Sequence, residues 1–410
     1  MPRFLFIALL SLFIFQCSRY PSSEKAKDQE RSEHISIQDT IPKHIQQIEN
    51  LTVFPGDSEP RFSIELIPEQ TFGQTGEPYL TNILSSVVDD QGRVIILDTK
   101  SDYSHVINVF NDDGSFHTQL GGPGKGPGEY GFVLDVQIMD GKVIVRDFSN
   151  QRLNIYNTNN YSIERTLPLD QLAIRNYEDV QGLQMGLIMP RHDGNYLVSF
   201  YQPGFSSEDK YLLMDADGNR LNIEPLVFPS SQWISVRTNR IGPSIGLGQL
   251  TGQTLTSLSS EDALFSIWTR DFLIKKYDSN GLYQSAIYYP LSGLPIDIDR
   301  FTSPPRFGFS TIEIEKALEN VRLPETNPIL DNLIIDDENR IWVAVPMDTR
   351  REMLEWWILA PSGELLAKLQ HPRESRFVIK NGHLFSKETD ENSGVEFVVK
   401  YRIEFAAFID

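Results

Sequence analysis

The chain has 410 residues, 40% of them hydrophobic, and a formal net charge of −19. That charge argues against a nucleic-acid backbone or an anionic membrane surface as partner, while the apolar fraction supplies a large core. The single cysteine excludes an internal disulfide framework.

Residues 1–17 read as an export signal. Arg3 gives the positive start, and Phe4 to Phe15 is an apolar run broken only by Ser11, too short to cross a bilayer. Cys17 follows almost directly, a placement that resembles a bacterial lipoprotein signal. The resemblance implies that Cys17 becomes a lipidated N-terminus carrying more than one acyl chain, enough for stable anchoring. Residues 18–58 are polar and read as a flexible tether with a short helix near 41–49.

RFSIELIPE (61–69) alternates Phe62, Ile64 and Leu66 as a strand does, and stands ahead of any partner. From residue 83 onward one unit recurs six times: strand, turn, strand, gap, strand, turn, strand. The first turns are DDQGR (89–93), MDGK (139–142), HDGN (192–195), SEDA (260–263), DDENR (336–340) and KNGH (380–383). Second turns are legible at NDDGS (111–115), NTNNY (157–161), DADGN (215–219), DSNGL (278–282) and APSGE (360–364). Paired hairpins of short strands, repeated along an all-β chain, predict a β-propeller. The blades fall near 83–120, 133–169, 183–228, 255–291, 330–371 and 375–407, each a four-stranded antiparallel sheet. Second strands such as VIILD (94–98) and IWVAV (341–345) are continuously apolar, as strands buried on both faces are. The last unit has only three strands. Because an open ring would expose edges, strand 61–67 is expected to complete the sixth blade and close the ring.

Three insertions, near 170–188, 228–256 and 292–329, break the spacing and are where function is expected. The third holds STIEIEKALENVR (310–322), a predicted helix capped by Ser310 or Thr311, with Ile312, Ala317, Leu318 and Val321 as its buried face.

The segment DFSNQRLNIYN (147–157), with Asp147, Asn150, Arg152 and Tyr156, resembles the blade motif of NHL-type six-bladed propellers. Asp98, Asp102 and Phe110 repeat part of it, with His105 at the arginine position. GGPGKGPGEYGF (121–132) resembles the glycine-rich link of NHL-like propellers in Bacteroidetes-type lipoproteins. The resemblance implies the propeller fold and an envelope setting, as an outer-membrane lipoprotein facing the periplasm or the surface. Arg152 offers a planar donor fork suited to tying an acidic turn or backbone carbonyls between blades.

Catalytic patterns are thin. Gly126-x-Gly128-x-x-Gly131 matches a dinucleotide fingerprint but precedes a strand, where the pyrophosphate needs a helix N-terminus. Gly242-x-Ser244-x-Gly246 matches a nucleophile elbow without its helix-forming sequel, although His371 and His383 lie downstream. The histidines lack metal-ligand spacing, and the Asp-rich turns lack the calcium loop. Lactonase-type propellers hold a divalent ion in the channel, so Asp89, Asp135, Asp262 and Asp336 are the candidate metal acids. Trp233, Arg237, Arg240, Arg300 and Arg306, in the insertions, are the candidate ligand contacts, since Arg and Trp dominate binding hot spots. The leading expectation is a non-enzymatic, cofactor-free propeller that binds a protein, peptide or glycan through one face. Its membrane contact is through the lipid only. The alternatives are a metal-dependent lactonase or hydrolase and a structural module of an envelope complex.

Overall fold

The computed structural model describes residues 41–172, 177–202, 207–236, 244–303 and 309–408. Cys17 and the export signal lie outside them. The chain divides into a unit ending at Gln46 and one running from Gln47 to Asp410. The described part of the first holds a one-turn helix, Lys43–Gln46; all the sheets belong to the second.

Six four-stranded antiparallel blades make up that second unit. Blade one uses strands Ile83–Val88, Val94–Thr99, His105–Phe110 and Phe116–Leu120, paired in that order. Blade two spans Val133–Pro168, blade three Gln184–Pro229, blade four Thr254–Tyr288 and blade five Asn332–Pro372. First strands of neighbouring blades touch one another at several junctions, which makes them the inner strands around the axis. The second strands are the apolar runs seen in the sequence: Val94, Ile95 and Ile96 are each 0% exposed.

Apolar packing joins the blades pairwise. A separate buried cluster fills each of the six junctions: one–two, two–three, three–four, four–five, five–six and six–one. Each fully buried Leu, Ile or Phe there contributes about 1.5–3 kcal/mol. Trp342, Trp356 and Trp357 belong to these junctions and not to a binding surface.

Blade six closes the ring with chain from both ends. Its inner strands, Phe377–Lys380, His383–Thr389 and Glu396–Ala407, are completed by the N-terminal strand Phe62–Phe72. The closing strand is longer than the expected 61–67, and a bulge between Pro68 and Gln70 bends it around the blade. Upstream, Leu51–Val53 adds in parallel to the outer strand of blade four. Phe54 then stacks on Tyr289, 5.2 Å between centroids, and Arg61 pairs with Glu364 of blade five. The segment 51–72 is thus a belt across the rims of three blades.

In such a blade the first and third turns lie on one face of the propeller. The loops between second and third strands, and the links between blades, lie on the other. The first will be called the turn face and the second the link face. All three insertions are inter-blade links, so all three rise from the link face.

The turn face is locked. Asp89 accepts from the Arg93 side chain at 2.7 Å and from the Tyr161 hydroxyl at 2.9 Å, and Arg93 lies over the Tyr161 ring of blade two. Asp336 repeats this with Arg340 at 2.7 Å and Trp342 Nε1 at 2.8 Å, and Arg340 lies over Phe405 of blade six. Asp262 of blade four accepts the backbone N–H groups of His192 and Asp193 of blade three. Asp337 accepts from Asn381 N, and Lys380 reaches Asp90, carrying the chain of turns from blade five through six to one.

Deleting residues 59–68 removes most of the closing strand. The melting temperature measured by calorimetry is expected to fall by well over 10 °C, whereas deleting only 41–46 leaves it nearly unchanged.

Candidate functional site

The link face is built from features that recur in several blades and then diverge. At the end of a second strand a short polar side chain captures the incoming link. Asp98 Oδ1 accepts from Thr81 N and Asn82 N at 3.0 and 2.7 Å. Asp147 Oδ1 accepts from Gly131 N at 3.1 Å, and Thr269 Oγ1 from Gln253 N at 2.9 Å. These residues fix where each inner strand begins.

Just inside that point, blades one, two and three each carry a bulge. The extra residue lies between Ile83 and Ser85, between Val133 and Asp135, and within Gly186–Leu187 opposite Ser199. The side chains so displaced are Leu84, Leu134 and Leu187. A bulge re-aims a side chain out of the pleat, and here Leu134 and Leu187 are each 48% exposed on inner strands. Asp135, next to Leu134, is directly opposite Arg146. Burial raises the Asp135 carboxyl above its ordinary range and lowers the Arg146 guanidinium, each partly offset by the other's charge. Gln137 donates to Asp135 Oδ2 at 3.0 Å, and Arg146 Nη1 to Gly186 O at 2.6 Å. This polar pair sits at the two–three junction near the channel mouth.

The glycine-rich link is held from beneath by blade two. Arg152 donates through Nη1 to Lys125 O at 3.0 Å and through Nη2 to Gly126 O and Glu129 O at 2.9 and 2.7 Å. Its Nε faces Asp147, which also accepts from Asn150 at 2.6 Å. Asn150 donates onward to Gly124 O, and the Tyr156 hydroxyl to Gly128 O. Five link carbonyls therefore point into the blade, and the fork of Arg152 ties backbone as its geometry allows. Gly126, Gly128 and Gly131 lead into the strand Val133–Met139, not into a helix.

This clamp presents a row of rings. Phe132 and Phe148 meet edge to face at 6.5 Å, and Phe132 lies 4.6 Å from the His105 ring. Tyr103 precedes His105 in the same loop. Lys100 Nζ, paired with Asp98, donates to Tyr79 O at 2.5 Å and ties the blade-six-to-one link to that loop. Tyr79 is 60%, Tyr103 86%, Phe132 48% and Phe148 51% exposed. Tyr103 holds φ +65°, the left-handed region that bulky side chains avoid. Of the twelve large apolar side chains exposed among the described residues, these four with Leu134, Leu187 and Met347 lie on link-face loops or bulges, and Ile312 lies on the cap that rises from the same face. Eight of twelve on one face is a concentration a soluble surface does not need.

The other half of the link face carries a cap. The insertions near 228–256 and 292–329, separate in sequence, share one core of Ile234, Ile245, Leu247, Leu250, Phe301, Phe309, Ile314 and Leu318. The strand pair Trp233–Ser235 and Ser244–Gly246 comes from the first, and the helices Ile298–Thr302 and Thr311–Leu318 from the second. Ser310 and Glu313 form the expected capping box. Ile312, however, is 74% exposed, not buried. The buried stripe is Ile314, Ala317, Leu318 and Val321, a regular i, i+3, i+4, i+7 face that leaves Ile312 on the opposite side. Arg351 pins the cap, donating to Gln249 O at 2.9 Å and to Asp331, which Arg373 also reaches at 3.0 Å. The insertion near 170–188 differs: Val180, Tyr177 and Leu183 plug the two–three junction.

The sequence candidates are scattered. Trp233, expected in the open, is half-buried and stacked 6.0 Å from Tyr201. Arg300 lies in the helix Ile298–Thr302, its backbone N–H bound by Asp297. Arg237, Arg240 and Arg306 lie outside the described residues. Asp89, Asp262 and Asp336 are spent on the turn face, away from Asp135 on the link face, and the four do not converge. Among the described residues no group of three His, Cys, Asp or Glu could hold a metal ion. Ser244 sits in a strand paired with Ser235, not at an elbow, and His371 instead meets Ser386, buried between blades five and six. The aromatic row was missed because its members come from four different loops. Only the position of each one, just after a second strand or just before a first strand, could have grouped them.

Comparison with known proteins accords with the fold. The DUF5128 family model, described as a 6-bladed beta-propeller, matches residues 58–242, from the belt through blade three. No curated protein matches the chain. Among solved structures, a Bacteroides fragilis protein assigned as exported is similar at 12% identity and TM-score 0.49, over 86% of this chain and 99% of that one. A member of the duf4221 family from Bacteroides vulgatus is similar at 12% identity and TM-score 0.49, over 84% and 100%. Virginiamycin B lyase from Staphylococcus aureus is similar at 12% identity and TM-score 0.36, over 84% and 96%.

Two substitutions test the architecture of this face. Arg152→Ala is expected to cost about 2–3 kcal/mol in denaturant unfolding, from the lost charge-assisted bonds, and to expose the 121–131 link to proteolysis. Arg351→Ala is expected to cost about 3 kcal/mol, the low end for breaking a buried pair because Arg373 still covers Asp331. Limited proteolysis of that variant should cut first within 228–256 while the blades stay intact.

Proposed function

We propose that this protein is a non-enzymatic, exported β-propeller, anchored in the envelope through Cys17, that binds a protein or peptide partner through its link face. The observation that carries the reading is the row Tyr79, Tyr103, Phe132 and Phe148, exposed at 48–86% on loops held by polar clamps. Aromatic anchors of this kind form the energetic centre of protein interfaces. The exposed Leu134 and Leu187 on the bulges, and Met347, extend the apolar contact. Phe, Leu and Met suit apolar side chains of a polypeptide better than the hydroxyl-rich face of a glycan. The export signal supports the localisation, and the blade motif at 147–157 supports kinship with NHL-like lipoproteins.

The test is paired capture from envelope extract. Wild-type protein, Phe132→Ser/Phe148→Ser and, as a turn-face control, Leu282→Ser are compared at equal loading. A partner retained by the wild type and the Leu282 variant but lost by the Phe132/Phe148 variant is the expected result. Equal capture by all three refutes the reading. In parallel, palmitate labelling should mark the wild type and vanish in Cys17→Ala.

A further inference from the structure

The link-face aromatic row stands in a charge environment that narrows its partner. The loops around it are those of the uncapped half: the links 73–82, 121–132 and 373–376, and the loops 100–104, 148–151 and 390–395. Two of their cations are already engaged: Lys100 is paired with Asp98, and Arg373 shares Asp331 with Arg351. What remains without an ion pair is six carboxylates, Glu77, Asp102, Glu129, Glu374, Asp390 and Glu391, against Lys125 and Arg376. Asp102 and Asp390 are both ionised at neutral pH, because hydrogen bonds from Ser104 and Ser393 hold them below the ordinary carboxylate range. The two tyrosines stand closest in sequence to this charge: Glu77 precedes Tyr79 by two residues and Asp102 precedes Tyr103 by one. No free cation occurs in either of those two loops.

We infer that the link face is complementary to an apolar and cationic polypeptide segment, whose Leu- or Phe-like side chains meet Phe132 and Phe148 while its Lys or Arg side chains meet Tyr79 and Tyr103. This rests on the reading of the link face as the binding face and adds the chemistry of the partner. Two effects point the same way. An aromatic face attracts a cation within about 6 Å of its centroid, by about 0.5–1 kcal/mol when exposed. Carboxylates at the rim add long-range attraction that steers a basic partner and repels an acidic one. Within the protein, Arg93 over Tyr161 and Arg340 over Phe405 show the same pairing of guanidinium, ring and carboxylate on the turn face, where both halves come from the chain itself. On the link face the ring and the carboxylate are present and the cation is left to the partner.

The experiment uses the mature chain and three labelled peptides of about twelve residues, measured by fluorescence anisotropy. One alternates Leu with Lys, the second Leu with Glu, and the third Ser with Lys. The Leu/Lys peptide is expected to bind at least about tenfold tighter than either other, a difference of about 1.4 kcal/mol. Glu77→Gln/Asp102→Asn should weaken it by about three- to tenfold, as two exposed pairs would. The control Asp57→Asn/Glu59→Gln removes the same charge from the belt and should change binding less than twofold. If the control weakens binding as much as the loop variant, the attraction is the diffuse field of a −19 chain and the inference fails. If Leu/Lys and Leu/Glu peptides bind alike and Phe132→Ser/Phe148→Ser abolishes both, the binding face stands and its cationic preference is refuted. If none of the link-face substitutions affects either peptide, both readings fail together.

Discussion

Every blade in this protein is apolar on both faces, and that single constraint organises the rest. A sheet like Val94–Thr99 with its neighbours cannot rest against water on either side, so it needs a blade before it and a blade after it. Six junction clusters meet that need only when the ring is closed. A linear array would leave two of these faces bare, together with an unpaired edge. Blade six, built from both ends of the second unit, is the closure. The belt at 51–53 and 54–61 reinforces it by fastening the incoming chain to blades four and five before it pairs in blade six.

Closure also explains how charge is distributed. Buried or half-buried ion pairs contribute little net stability compared with apolar packing, but they specify geometry. On the turn face, aspartates at the start of a turn hold arginines that lie over rings of the following blade, and other turns grip each other directly. This sets the angle between blades where packing alone would tolerate slippage. The four acids considered for a metal divide accordingly. Asp89, Asp262 and Asp336 are joints between blades, and Asp135 alone stands at the channel mouth, facing Arg146.

The fold was legible because it is periodic, and periodicity survives in one sequence. Apolar second strands, Asx-Gly turns and a strand without a partner at 61–69 were enough to give six blades and the manner of closure. One second-strand end also announced its role: Asp147, Asn150 and Arg152 resemble a known blade motif, and the planar donor fork of Arg152 suits tying backbone carbonyls. The cap was not legible as a unit. Its core joins Ile234 and Leu250 to Phe301 and Ile314, contacts between two insertions separated by an entire blade, and nothing local marks that pairing. The helix at 311–318 illustrates the limit at small scale. Its cap was read to within one residue, Ser310 or Thr311, but its buried face depends on which side meets Leu247, so Ile312 was placed inward when it points out. The half-burial of Trp233 was hidden for a related reason: Tyr201, its stacking partner, belongs to blade three.

The two faces differ in what they leave unspent. On the turn face, carboxylates, guanidinium groups and rings are matched within the chain, often at hydrogen-bond distance. On the link face, clamps of equal quality are used for a different end. Arg152 with Asp147 and Lys100 with Asp98 immobilise backbone, and what they immobilise carries exposed rings. An exposed ring on a mobile loop costs little, because it can fold back onto the surface. Rings fixed outward, one of them on a tyrosine held at positive φ, forgo that relief. Bulges in two inner strands leave Leu134 and Leu187 half-exposed, whereas Leu84 on a third still packs into the one–two junction. These losses of apolar burial fall together on one face, and the stability for them comes from the closed ring beneath. A partner that covers the rings would recover the apolar burial that the fold by itself leaves open.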